Sequence, residues 1–515
     1  MKKQRMNYKM VLTACAWAVA LAALQADVKL PSIFSDHMVL QRDVAAPVWG
    51  WAEPGENVSI SIGSQTKTAV AGPDGKWSVK LEPLKAGGPL MLTVKAKNTI
   101  TINDVLVGEV WLGSGQSNMA LQVQRASEFP AEQAAAKTPE IRVFTVGRNQ
   151  VSAPTTNCAG EWKICSPETV GQFSAMAFFF GRELYRALKV PMGLINSSVG
   201  GTPIESWISA DAQNNQPECK AYLAQQNKAV AKTDLTAAKA KYEKDFAKWK
   251  TKAAEAKKAG QKAPRAPRDP VALSERKGNV AGLFNGMIAP LIPYAMRGAI
   301  WYQGEANSAP EKAPFYQYQL PCLIQDWRAR WGQGDFPFAW VQLPNYEAPG
   351  RDWPTMRECM MKSLRVPNTG MAIAIDVGEA KNIHPQNKQA VGRRLSLWAL
   401  GTVYGQKCTI SGPLPDGFEF KGSECVVKFK HADGGLVAKG GDLKGFVVAG
   451  SDKKFVPASA RIEGNQVIVS SPEVKQPAAV RYAWENYPLC NLYSGAELPA
   501  SPFRTDDWPA EVPAR

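Results

Sequence analysis

The sequence predicts an α/β protein, a core of parallel strands and helices with a β-rich module on each side. Three observations carry this. Between residues 105 and 402, short apolar runs alternate with longer helical stretches, the pattern of strands buried on both faces with helices between them. Before residue 105 and after residue 402 the runs are strand-like and broken by turn residues. Polar clusters then fall just after the central apolar runs, at the carboxyl ends of strands where open sheets bind ligands.

In chain order, residues 1–26 read as a secretory signal peptide. Lys2, Lys3, Arg5 and Lys9 form a basic start, Met10 to Leu24 is an almost unbroken apolar run, and Ala26 closes a small-residue stretch before Asp27. That run is short for a membrane span, and no other segment reaches the ~18 apolar residues one needs. Leu12-Thr13-Ala14-Cys15 has the form of a lipoprotein cleavage box, but too few apolar residues precede Cys15. The expectation is a periplasmic or secreted protein with no membrane span after cleavage.

Residues 27–104 read as a small β-sandwich. Val58-Ser59-Ile60-Ser61-Ile62 alternates at period two, Pro73-Asp74-Gly75-Lys76 is a turn, and Trp77-Ser78-Val79-Lys80-Leu81 follows. Residues 105–402 form the α/β domain. Its strands are expected at Val105–Leu112, Met192–Ile195, Ala299–Tyr302, Phe338–Leu343 and Met371–Val377. Its helices are expected around Ser174–Leu188, Val280–Ala289, Tyr316–Trp331, Pro354–Leu364 and Gln386–Leu400. A Lys/Ala-rich helical insert covers about 211–270, ended by Ala263-Pro264-Arg265-Ala266-Pro267. Residues 403–515 form a second β-rich module, with strand-like runs at Glu424–Phe429 and Gln466–Val469.

The 515 residues carry 61 Lys+Arg against 46 Asp+Glu, a net +15. Four of these positive charges lie in the leader. Residues 220–268 hold twelve Lys and two Arg against four acidic residues, so that segment accounts for ten more. The remainder is nearly neutral, so no nucleic-acid partner is expected. The insert reads more simply as a solvated helical hairpin than as a basic arm for an anionic polymer or membrane. Eight cysteines follow Cys15, with Cys158 and Cys165 near enough in sequence to bridge a loop, and they fix no pairing. With three scattered histidines and no CxxC or HExxH pattern, no metal site is expected, nor any cofactor.

Gly113-Ser114-Gly115-Gln116-Ser117-Asn118-Met119 follows a strong strand. Glycines allow a sharp turn there, and a serine at the sheet edge gains from a nearby helix N-terminus. This is the logic of a nucleophile, although no G-x-S-x-G elbow is present. A serine nucleophile needs a base within hydrogen-bond reach. His37 lies in the N-terminal module and His431 in the C-terminal one, while His384 follows the last core strand at Asn382-Ile383-His384-Pro385. His384 is therefore the candidate base, with Pro385 at the first turn of the next helix to fix its loop.

Four blocks, in this order, carry a resemblance: Gly115-Gln116-Ser117-Asn118-Met119, Ser197-Ser198-Val199-Gly200-Gly201-Thr202, Trp301-Tyr302-Gln303-Gly304-Glu305 and Ile383-His384-Pro385. Together they resemble the sialate O-acetylesterase family, a branch of the SGNH hydrolases, and Met38-Val39-Leu40-Gln41-Arg42 resembles the opening of its bacterial members. The resemblance covers nearly the whole mature chain. It implies an SGNH-type, flavodoxin-like sheet and a secreted serine esterase removing acetyl groups from sugars, most typically 9-O-acetylated sialic acids. It places the nucleophile at Ser117 and the base at His384. Backbone N–H groups of Ser117 and of Gly200 or Gly201 would form the oxyanion hole, with Gln303 or Asn307 as a further donor. Gln116, Asn118 and Glu305 would support the site.

One departure stands out. Many SGNH enzymes carry an aspartate three residues before the histidine, where this chain has Lys381. Asp376 or Glu379 could orient His384 instead, or the pair could work as a dyad. The motifs describe acyl chemistry and not the sugar, so an acetylxylan-type or other carbohydrate deacetylase is the alternative. A non-catalytic glycan-binding protein is a further one, and the intact Ser117 and His384 speak against it.

Overall fold

The structure, a computed structural model, describes residues 27–231, 235–261, 263–264, 266–267, 269 and 280–508. The leader 1–26 with Cys15, and parts of the insert, lie outside the described residues.

The N-terminal module contains β1 (Val39–Gln41), β2 (Pro47–Trp51), β3 (Asn57–Ile62), β4 (Gln65–Val70), β5 (Lys76–Lys80) and β6 (Gly87–Lys95). Alternation at period two buries Val58, Ile60 and Ile62 on one face of β3. The long β7 (Thr99–Gly115) begins here, antiparallel to β6 and parallel to β1. It then continues as the centre of the parallel sheet, so position 104/105 falls inside one strand. Module and core accordingly share one hydrophobic cluster, running from Val28 to Leu414. His37 belongs to this junction: its Nδ1 lies 2.7 Å from Asp104 Oδ2, which also accepts from Arg142 at 2.9 Å.

The core sheet adds β8 (Ile141–Thr145), β9 (Trp162–Ile164), β10 (Met192–Ser198), β11 (Gly298–Tyr302), β12 (Phe338–Val341) and β13 (Thr369–Ala372), in the order β13-β12-β11-β7-β10-β8-β9. All neighbours are parallel except β8 and β9. The α/β architecture is the one expected; within it β10, rather than β8, neighbours β7. β8 and β9 extend the five expected strands. β8 escapes its sequence pattern because Arg142 interrupts the apolar run, yet that guanidinium is buried against Asp104. Trp111 packs edge-on against Phe180 of the helix Ala175–Leu188. Trp301, in register with Ser114, packs against Trp327 of the helix Tyr316–Trp331. These helices therefore cover opposite faces of the sheet. The stretch around 280–289 is not one α-helix: it holds a π-turn at Phe284–Ile288 that leads into a 3-10 turn at Ala289–Leu291.

The described part of the insert includes the helices Pro217–Ala231 and Leu235–Lys258, the second with most of its lysines exposed. The C-terminal module comprises two four-stranded antiparallel sheets and a two-stranded one around its own core, which includes Val427, Val448, Val469 and Phe503. All eight cysteines of the described residues are free thiols. Among the described residues no helix is long and apolar enough to cross a membrane.

Candidate active site

β7, β10 and β11 end level with one another, with Gly115 paired to Ser198 on one side and Tyr302 on the other. The chain must turn there at once. Gly115 has φ +135°, and a Cβ on it would lie 2.2 Å from Tyr302 O, so only glycine fits. Gln116 N donates to Tyr302 O at 2.9 Å, and Ser117 opens a one-turn helix, Ser117–Ala120. Ser174 Oγ donates to Met119 O at 2.6 Å and secures that turn. Ser117 is left half-exposed above the sheet edge.

His384 is brought to it from the loop after β13. Its Nε2 lies 2.8 Å from Ser117 Oγ. Burial, Lys388 and Arg125 together pull the imidazole below its ordinary pKa, so it is neutral and able to accept a proton near pH 7. The following helix starts at Lys388, with Asn387 as its cap, rather than at Pro385. Among the described residues no carboxylate is in ion-pair contact with the His384 ring. Glu379 shapes the loop at one remove: it accepts from Asn382 Nδ2 and Gln386 N, both at 2.9 Å, and Asn382 Oδ1 accepts from His384 N at 3.1 Å. Asp376 is committed elsewhere, in a two-point pair with Arg394 at 2.6 and 2.7 Å and as acceptor from Tyr493 at 3.1 Å.

The turn after β10 lies against the serine. A Cβ on Gly200 would sit 3.4 Å from Ser117 Cβ, while Gly201, at φ +74°, faces open space. Among the described residues no acceptor takes the backbone N–H of Gly200 or Gly201, so both remain available to an oxyanion. The two side-chain amides serve the fold. Gln303 Nε2 donates to Thr202 O and Asn307 Oδ1, and Asn307 Nδ2 donates to Glu205. Asn307 Oδ1 also accepts from Ile204 N at 2.9 Å. Gln303 and Asn307 thus brace the 199–205 turn beside Ser117. Gln116 Oε1 accepts from Ala306 N at 3.3 Å, tying the Ser117 turn to the 305–307 turn.

Beneath Ser117 lies a buried polar cluster. Asn118 Nδ2 donates to Glu305 Oε1 at 2.5 Å and to Ile383 O at 3.0 Å, and Asn118 Oδ1 accepts from Lys388 Nζ at 2.6 Å. Burial pushes the Glu305 carboxyl up, and burial pulls the Lys388 ammonium down to about 7 against the opposing pull of Glu305 and Glu379. Nothing in the sequence around Lys388 marks it as a site residue. A lysine in the first turn of a helix is ordinarily a solvated one, and only the fold puts it under Ser117.

A serine and a neutral histidine in contact at the carboxyl edge of a parallel sheet have the arrangement of an ester hydrolase. A family model described as "Carbohydrate esterase, sialic acid-specific acetylesterase" matches residues 107–241 and 283–399. The sialate O-acetylesterase of Rattus norvegicus is 31% identical over 92% of this chain and 94% of its own. That of Homo sapiens is 30% identical over 96% and 95%. The crystal structure of a carbohydrate acetylesterase from Xanthomonas citri is 35% identical, with a TM-score of 0.80, over 94% of this chain and all of that one. The chain belongs to the sialate O-acetylesterase family. It is a carboxylic ester hydrolase that removes acetyl groups from carbohydrates.

Proposed function

We propose that the protein removes O-acetyl groups from sialic acids through an acetyl-Ser117 intermediate, with His384 as the base. The observation that carries the mechanism is the 2.8 Å contact between Ser117 Oγ and His384 Nε2 at the open end of the sheet. His384 takes the Ser117 proton as Oγ attacks the acetyl carbonyl carbon. The tetrahedral oxyanion is held by backbone N–H groups of Ser117 and the Gly200-Gly201 turn. His384 returns the proton to the departing sugar oxygen; water, activated by the same imidazole, then releases acetate. Each oxyanion donor is worth on the order of a hundredfold in turnover. His384 works without a directly bonded carboxylate among the described residues, its loop held by Asn382 and Glu379.

The substrate reading is supported by Arg125. It lies in the turn that follows the nucleophile helix, exposed, with no side-chain partner among the described residues. Ser127 N donates to Gln386 O at 3.0 Å, tying this segment to the His384 loop. A guanidinium there suits the carboxylate of a sialic acid, a group that acetylated xylan lacks. The Xanthomonas citri relative, described only as a carbohydrate acetylesterase, keeps a neutral glycan as the second reading. Acetyl release from O-acetylated sialic acid and from acetylated xylan separates the two. The sialic acid should be preferred, and Arg125→Ala should raise its KM without changing hydrolysis of a neutral aryl acetate. Equal rates on both sugars by the unmodified protein would favour the neutral glycan.

A further inference from the structure

Beside the Ser117–His384 contact, Asn118 makes a second link between the nucleophile turn and the histidine loop. It follows Ser117, and its Nδ2 donates to the carbonyl of Ile383, the residue before His384, at 3.0 Å. The same Nδ2 donates to Glu305 Oε1 at 2.5 Å, and Oδ1 accepts from Lys388 Nζ at 2.6 Å. Turning the amide over would set its NH₂ group against the ammonium and its oxygen against a carboxylate and a carbonyl, breaking all three contacts. An ammonium only donates, so Lys388 admits a single orientation. Lys388 is fully buried, with its Nζ 5.1 Å from the centre of the Tyr302 ring and, among the described residues, no carboxylate in ion-pair contact. A buried cation without a paired carboxylate is costly, and the contact it does make is the one that aligns Asn118.

We propose that Lys388 is a positioning residue for the esterase reaction, fixing the Asn118 amide so that Ser117 and His384 are held in register. This rests on the Ser117–His384 reading given above. Its charge has a second consequence. The charged groups facing the His384 ring are Lys388 from the helix Lys388–Trp398 and Arg125 from the turn after the nucleophile, with Glu379 in its own loop. Those facing Lys388 are Glu305, Glu379 and His384, with Tyr302 beneath it. Both cations lower the imidazole pKa. His384 acts as a base only when neutral, so activity appears as pH rises through that pKa. Removing the Lys388 charge lets the pKa rise, and the acid limb of kcat/KM moves to higher pH.

The test uses the full chain and an aryl acetate, with Lys388→Met and Lys388→Arg assayed across pH. Lys388→Met should lower kcat by about tenfold to a hundredfold with KM changed by less than about twofold, and move the acid limb upward. Lys388→Arg keeps the charge, so the limb should stay at the wild-type position and part of kcat should return. A purely structural role would lower thermal stability and leave the limb in place. A Lys388→Met protein with wild-type kcat, or with an unmoved limb, overturns the assignment. Should that variant not fold, Asn118→Asp keeps the side-chain shape and loses the donor to Ile383 O. It should show the same fall in kcat, and wild-type kcat there also overturns the assignment. Ser117→Ala separates the two levels. If it stays active, the reading of the pair falls and the Lys388 role with it. If it is inactive while Lys388→Met matches wild type, only the Lys388 role falls.

Discussion

Ser117 and His384 lie 267 positions apart in the chain and meet at 2.8 Å. Both were legible in the sequence, because a glycine-flanked serine after a strand met a chain with only three histidines. Ser117→Ala and His384→Ala should each lower kcat for an aryl acetate by at least about a thousandfold while leaving the thermal midpoint near wild type. The acid was not legible. Two carboxylates share the stretch before His384, and only the fold shows that Asp376 is held by Arg394 and Tyr493 while Glu379 shapes the histidine loop. Glu379→Gln should therefore cost activity by about tenfold. Asp376→Asn should leave the rate near wild type and lower stability by about 1–3 kcal/mol, by weakening a partly buried charged pair. Comparing kcat and melting temperature of the two variants checks both. Gln303 and Asn307 were expected as donors to an oxyanion; in the fold their amides are bonded to Thr202, Glu205, Ile204 and each other, beside the turn that carries Gly200.

The element that organises the site is β7. Its first half belongs to the N-terminal sheet and its second half to the core, and its end fixes where Ser117 stands. Most core elements could be read in advance because buried strands and amphipathic helices leave periodic patterns; the helix expected at Tyr316–Trp331 has those bounds. The missed strand β8 carries a buried arginine, Arg142, and such tertiary pairing leaves no periodic signal. The end of β7 depends on one glycine. Gly115→Ala would drive a Cβ against the Tyr302 carbonyl and force a disfavoured backbone conformation. The loss should be about 1–3 kcal/mol or more, with activity falling further than stability explains because Ser117 moves. Calorimetry alongside the aryl acetate assay reads both.

At the scale of the whole molecule, the C-terminal module supports the loops around the site. Arg357, fully buried, donates to Leu343 O, Pro344 O, Glu485 O and Asn486 O, two carbonyls from the core and two from the module. Arg504 adds a two-point pair to Glu358 at 2.9 and 3.0 Å. Arg357→Ala would leave the buried carbonyls of Leu343 and Pro344 without their donor and break the link to Glu485 and Asn486; it should cost about 3 kcal/mol or more, seen as a lower melting temperature. No sequence pattern marks such a cage, whereas the charge distribution was plain: the excess of positive charge belongs to residues 1–26 and 220–268, and the lysines of the helix Leu235–Lys258 are exposed. Whether Ser117 is the nucleophile can be asked by covalent labelling of the intact enzyme. A phosphonylating serine reagent should modify Ser117 alone, with activity lost in proportion to the label, and His384→Ala should label far more slowly. A fully labelled Ser117 with activity intact, or inactivation by a label on another residue, would rule Ser117 out as the nucleophile.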